Sequence, residues 1–222
     1  MPSGYFRFAR QASSAAACRQ DRRRSYPAVQ PAAFDGGTVH GMDSLRNTGA
    51  GMPMNASDPH AHLPPLEAGA PLEGADALLI LVHGRGAAPD DLAPLAQLLL
   101  EGREQQVAIR LPRAQGQVWY PQRFIVPPEA NQPWLDSARA SIGRIIDAAI
   151  DAGLPAERIL IGGFSQGACL ALDVAAMRPG RLGGVLAFAG GLIGDTLDPN
   201  AYRASFGGMP AFLGSSDPDP HI

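Results

Sequence analysis

Lysine is absent: all 18 basic residues of this 222-residue chain are arginine, set against 21 acids, for a formal net charge of −3. An acidic balance argues against a nucleic-acid partner. The arginine-only usage reads as codon bias in a GC-rich genome rather than guanidinium-specific recognition. Long apolar runs are missing too. No stretch approaches the roughly 18 consecutive apolar residues of a membrane span, so none is expected. Cysteine is scarce: Cys18 lies in a polar segment and Cys169 in an apolar helical pattern. Two such residues make no disulfide framework, and a reducing, cytoplasmic compartment is the expectation. Metal-ligand spacing is nearly absent as well. The pair His60 and His62 falls in a Pro/Ala/Gly lead-in, residues 54–74, with no partner acids in a motif, so no metal and no cofactor are expected. What remains is 45% apolar and 18% charged, the composition of a globular α/β domain with a real core.

Residues 1–53 differ from the rest. They hold seven Arg against three acids (Asp21, Asp35 and Asp43), a local charge of +4 that leaves −7 for the remainder. The segment shows no sustained period of 2 or 3.6. Its Arg/Ser-rich, acid-poor start resembles a transit peptide and Ala-Ala-Ala-Cys18 a lipoprotein cleavage site, but no apolar h-region of seven or more residues precedes Cys18, and disorder is the expected reading. Residues 1–56 are therefore expected to be a disordered or mis-assigned extension, with Met54 a candidate start, and residues 57–222 the domain.

Within the domain, Ala77 to Val82 (ALLILV) is a continuous apolar run, the pattern of a strand buried on both faces. It ends in His83-Gly84-Arg85-Gly86. Pro89 and Asp90-Asp91 open a helix with Leu92, Leu95, Ala96 and Leu99 on one face. Val107 to Leu111 reads as a second strand. A long loop from Arg113 to Gln132 follows, containing Trp119, Tyr120 and Phe124. Pro133 starts a helix to about Ala152, with Leu135, Ala138, Ile142, Ile145, Ile146 and Ala149 on one face. Further strands are expected at Gly184–Ala189 and about Pro210–Leu213. Strands alternating with helices predict a mostly parallel sheet covered on both faces.

The chain is organised around one stretch, Arg158 to Leu172. Ile159-Leu-Ile161 reads as a buried strand, and Gln166 to about Arg178 as a helix apolar almost all round. Between them Gly163-Phe-Ser165-Gln-Gly167 matches the G-x-S-x-G nucleophile elbow. A serine lifted on so tight a turn leaves no room for side chains two residues before and after, and both positions are glycine. The expected role of Ser165 is nucleophile. The bland alternative is a structural Gly/Ser turn.

Four motifs then occur in order: Leu81-Val-His83-Gly84-Arg85-Gly86-Ala87, Trp119-Tyr120-Pro121, Gly162 to Ala168, and Gly214-Ser-Ser-Asp217-Pro-Asp219-Pro-His221-Ile222. From about residue 57 onward they resemble the phospholipase/carboxylesterase family of α/β-hydrolases, the branch that includes acyl-protein thioesterases. The resemblance implies an α/β-hydrolase fold and cleavage of a small-molecule ester or thioester through an acyl-enzyme. It implies Ser165 as nucleophile, Asp219 as triad acid with Asp217 the alternative, and an oxyanion hole from the backbone N–H groups of Arg85 and Gln166. Trp119, Tyr120 and Phe124 are candidates for the substrate pocket, with ordinary packing the competing reading. His83 is read as a brace for its loop, and the Arg85 side chain as a solvated loop residue.

The triad order in this fold is Ser, acid, His. Of the histidines at 40, 60, 62, 83 and 221, only His221 follows Asp219, two residues on. That is too close to bridge acid and serine. The expectation is a chain ending before the last strand and helix of the fold, inactive as written, with an apolar strand left at the sheet edge. A non-catalytic binding protein on the same fold is the alternative. A dienelactone-hydrolase-like enzyme would place Cys, not Ser165, at the elbow.

Overall fold

A computed structural model describes residues 58–196, 202 and 207–216. The expected disorder of residues 1–56, and the positions of Asp217, Asp219 and His221, lie outside them. The described residues form a six-stranded sheet ordered β1-β3-β2-β4-β5-β6. The strands are β1 (Leu66–Gly69), β2 (Ala77–Val82), β3 (Val107–Leu111), β4 (Ile159–Phe164), β5 (Gly184–Phe188) and β6 (Ala211–Gly214). β1 runs antiparallel to β3, and every other pairing is parallel. The helices are α1 (Ala93–Leu100), α2 (Trp134–Asp151) and α3 (Gln166–Met177). No helix among the described residues is long and apolar enough to cross a membrane.

The sheet separates two cores. Leu78, Ile80 and Val82 of β2 join Ile159 and Ile161 of β4 in the larger one, packed under α2 and α3. Leu79 and Leu81 point the other way, to Ile109, Leu111 and Ala96 of α1. Alternate residues of one apolar strand thus serve opposite faces, which is why β2 has no polar position. On α2 the expected stripe is buried at Leu135, Ala138, Ile142, Ile146 and Ala149, and Ile145 packs at its margin. Burying one such Ile is worth about 2–3 kcal/mol. Helix α3 is buried at eleven of its twelve positions, Met177 alone excepted.

Two expectations need correcting. Residues 66–69 are not lead-in but β1, whose register pairs Leu66 with Leu111 and Gly69 with Ala108. The helix expected from Pro89 opens as a 3-10 turn, Pro89–Leu92, before α1 begins. That turn changes the helical phase, so Ala96 is buried while Leu99 is 39% exposed. At the other edge of the sheet, Phe212 and Leu213 of β6 are 51% and 62% exposed.

One buried charge ties these layers together. Asp173 of α3 is fully buried and accepts from Arg139 Nε at 2.6 Å and Nη2 at 3.2 Å. The Tyr202 hydroxyl donates to the same carboxylate or to the Ile193 carbonyl, at 3.1 and 2.8 Å. An isolated carboxylate in that place would cost several kcal/mol, so the Arg139 fork is what permits Asp173 on an otherwise apolar helix.

Candidate active site

Ser165 stands at the corner between β4 and α3 with φ +52° and ψ −118°. A non-glycine residue there carries about 1–3 kcal/mol of strain, tolerated because its surroundings over-determine it. Its N–H donates to Phe188 O at 2.8 Å, and its carbonyl accepts from Cys169 N–H at 3.1 Å. The flanking glycines are steric necessities. A Cβ on Gly163 would lie 2.5 Å from the Gly167 backbone, and one on Gly167 would lie 2.0 Å from Val82 O. The first turn of α3 therefore rests directly on the end of β2.

That contact brings the loop after β2 to the same corner. His83 is buried, and its Nδ1–H donates to Gly84 O at 2.8 Å while Nε2 accepts from Ala114 N–H at 3.3 Å. Its carbonyl accepts from Trp119 Nε1–H at 2.8 Å. Both ring nitrogens are engaged, and burial holds the imidazole pKa below its usual value. His83 is a neutral brace in this arrangement.

Arg85 and Gln166, expected to contribute backbone N–H groups, also hold the opposite wall with their side chains. The Arg85 guanidinium donates to the carbonyls of Tyr120 (2.8 Å), Pro121 (3.0 Å) and Gln122 (2.8 Å). The reading of that side chain as merely solvated is therefore corrected: it is exposed but engaged. Gln166 Nε2 donates to Tyr120 O at 2.8 Å, and its Oε1 accepts from Trp119 N–H at 3.0 Å. Two side chains thus converge on the Tyr120 carbonyl.

Between these walls lies a cleft of about 380 Å³ lined by Ser165, Gln166, Arg85, Arg123, Tyr120 and Phe124, among others. Of the three aromatics expected to line it, Tyr120 and Phe124 do. Trp119 does not: it is fully buried in the main core, pinned from both sides, and is packing rather than lining. Cys169 reaches the cleft floor beside Tyr120. Burial raises the pKa of both the phenol and the thiol, so neither is an anion near neutrality.

His60 is the residue that sequence reasoning missed. Its surroundings in the sequence read as a lead-in, yet it is fully buried between Trp119 and Trp134, with both ring centroids 5.5 Å away. Nε2–H donates to Trp119 O at 3.0 Å, and Nδ1 accepts from Gln115 N–H at 3.0 Å. Its own N–H donates to Ser137 Oγ at 2.8 Å, and that hydroxyl donates to Asp58. A run of hydrogen bonds therefore leads from His60 through Trp119 to Gln166, the residue after Ser165. His62 lines a different cavity.

Burial lowers the pKa of both His60 and His83 from the usual 6.5. The unfolded chain then binds more protons than the folded one just below pH 6.5. Stability is expected to be full above that value and to fall as pH drops toward the depressed folded values. Urea midpoints across pH 7.5 to about 5 test this; a flat profile would show that the two imidazoles stay solvated.

The family model for phospholipase/carboxylesterase matches residues 67–222. The chain belongs to the phospholipase/carboxylesterase family. A solved member, the phospholipase/carboxylesterase from Dyadobacter fermentans, is 38% identical with a TM-score of 0.68, covering 72% of this chain and 75% of that one. Acyl-protein thioesterase 1 of Saccharomyces cerevisiae is 38% identical over 86 residues, 37% of this chain and 36% of its own. That of Eremothecium gossypii is 44% identical over 62 residues, 28% of this chain and 23% of its own. The chain thus spans about a third or less of the length of these curated relatives. Membership agrees with the α/β-hydrolase architecture expected from the four ordered motifs.

Proposed function

We propose that the chain is a serine hydrolase of carboxylic esters or thioesters that forms an acyl-enzyme on Ser165. The observation that carries the reading is the strained, positive-φ conformation of Ser165, enforced by Gly163 and Gly167 at the mouth of a cleft. Strain at a serine so closely supported is a functional signature. In this reading a base takes the hydroxyl proton as Oγ attacks the carbonyl carbon, the C=O electrons move to oxygen, and the backbone N–H groups of Arg85 and Gln166 receive the oxyanion. Gln166 is the first residue of α3, where N–H groups have no intrahelical acceptor and the helix dipole favours negative charge. Collapse of the tetrahedral intermediate re-forms the C=O bond and breaks the bond to the leaving group, which departs as alcohol or thiol with the proton returned by the base. Water, deprotonated by the same base, later attacks the acyl carbon and releases the acid and free Ser165. The side-chain clamps of Arg85 and Gln166 keep the cleft wall aligned with their own N–H groups. Asp219 is assigned as the acid that orients the base, ahead of Asp217.

A second reading, a binding protein without turnover, is favoured by one observation: His60 and His83 each have both ring nitrogens engaged. The two readings separate on the serine itself. In the chain extended by a C-terminal strand, histidine loop and helix, a fluorophosphonate is expected to add to Ser165, located by peptide mass spectrometry, with labelling lost in Ser165→Ala. Labelling that survives in Ser165→Ala would remove the nucleophile assignment.

A further inference from the structure

A second cavity of ligand size, about 490 Å³, lies between α2 and the β1–β3 side of the sheet. It shares no lining residue with the Ser165 cleft. Helix α2 lines it with Ser141, Arg144, Ile145 and Ala148, the i, i+3, i+4, i+7 spacing of a single helical stripe. Strand β3 lines it with Arg110, the one charge in an otherwise apolar strand. Alternation along β3 puts Arg110 on the same side as the core residue Ala108, and it is 8% exposed.

A buried guanidinium needs acceptors, and Arg110 has few. Among the described residues its five N–H donors meet Ile109 O at 3.0 Å and one oxygen of Glu67 at 3.4 Å. Glu67 is its register partner across β1 and β3, which accounts for an ion pair there. The contact is long beside the roughly 2.7–2.9 Å of a charge-assisted hydrogen bond, however, and the Glu67 side chain is mostly exposed. Ser141 is 5% exposed, and its hydroxyl has no hydrogen-bond partner among the described residues. Arg144, at the mouth, is held loosely, 3.8 Å from Asp58 and 3.4 Å from His60 O. The polar end of the cavity thus offers donors without matching acceptors. Its other walls are apolar, with Leu72, Leu78, Ile145 and Ala148.

We infer that this cavity is a second binding site, for a monocarboxylate with a short apolar chain. The carboxylate, an acceptor-only group, takes the unspent donors of Arg110 and Ser141, with Arg144 closing the mouth. The chain lies against Leu72, Leu78 and Ile145. Two guanidiniums exclude a cationic ligand. The carboxylates of Glu67 and Asp58 already offset those two charges, which disfavours a dianion such as a phosphate monoester. The site stands apart from the ester-cleaving reading and does not depend on it.

Calorimetric titration of the full chain with hexanoate, hexanol and hexyl phosphate tests the site. Hexanoate is expected to bind about tenfold tighter than hexanol, and tighter than hexyl phosphate. Arg110→Met, which keeps a long side chain without the charge, should bring hexanoate down to the affinity of hexanol. Ala148→Phe, at an exposed position of α2, should fill the cavity and abolish binding of both while circular dichroism shows the fold retained. Should Arg110→Met not fold, Ser141→Ala gives a smaller reading, a loss of about twofold to fivefold for hexanoate with hexanol unchanged. No binding of hexanoate overturns the inference, as does hexanol or hexyl phosphate binding equally well. So does hexanoate binding that survives Ala148→Phe, or a preference over hexanol that persists in both Arg110→Met and Ser141→Ala.

Discussion

Gly167→Ala is expected to leave no soluble, cooperatively folded protein. The new Cβ would sit 2.0 Å from Val82 O, 2.5 Å from His83 O and 2.6 Å from Val82 C. All three are backbone atoms, and Val82 is held in register against Gly163 of β4. Nothing there can rotate aside as a side chain could. Relief requires separating α3 from the centre of the sheet, and α3 is buried at nearly every position. Ordinary overpacking costs roughly 1–3 kcal/mol, and a contact this short exceeds that range, against a total domain stability of about 5–15 kcal/mol. Gly86→Ala is the matched control. A Cβ at Gly86 meets nothing within 4 Å, and only its φ of +74° opposes alanine. That change should cost about 1 kcal/mol and a few degrees of Tm. Circular dichroism melts of both variants decide the matter. A Gly167→Ala protein melting close to the parent would mean that the corner is not built as described.

The 222-residue chain is expected to hydrolyse p-nitrophenyl butyrate close to background. A serine hydroxyl needs a base, and neither buried histidine is free to serve. His83 is tied to Gly84 O and Ala114 N–H, and His60 to Trp119 O and Gln115 N–H. Freeing either imidazole would break the bracing of the loop that walls the cleft. Loss of the histidine from a serine triad costs on the order of 10⁶ in kcat. The oxyanion hole and binding alone leave roughly 10³–10⁴ over water. Steady-state assays, with the parent and His221→Ala side by side, measure this. Turnover near an ordinary ~10 s⁻¹ that disappears in His221→Ala would make His221 the base and refute the expectation.

The sheet's centre was legible because burial on two faces leaves a one-dimensional trace: β2 is an uninterrupted apolar run, and β3 is one broken only by Arg110. Helix α2 was legible through its stripe, and the Ser165 corner through glycines that geometry demands. β1 left no such trace. Leu66-Glu-Ala-Gly69 alternates between half-buried and exposed positions and contains no β-branched residue. It is a strand because β3 offers it an edge, a tertiary cause that local propensity does not record. Leu99 was misplaced because a 3-10 turn shifted the phase of α1. The clamps around the cleft were illegible for another reason. Arg85 reaches carbonyls 35 to 37 residues away, and a side chain bonded to distant backbone imposes no spacing on the sequence. The same holds for His60, whose partners at Gln115, Trp119 and Ser137 are chosen by the fold.

Those distances set an order of events during synthesis. The partners of His60 lie 55, 59 and 77 residues downstream, and Arg144, which donates to its carbonyl, lies 84 downstream. A ribosome adding about 5–20 residues per second must therefore run for several seconds after His60 emerges before its site exists. Until α2 has left the exit tunnel, the 58–65 segment has nowhere to dock, and β1 can only hold it beside β3. Closing such a long loop is also entropically slow. Residues 58–65 are thus the first of the described residues to emerge and among the last to settle, and a nascent chain halted before Ser137 would carry them loose.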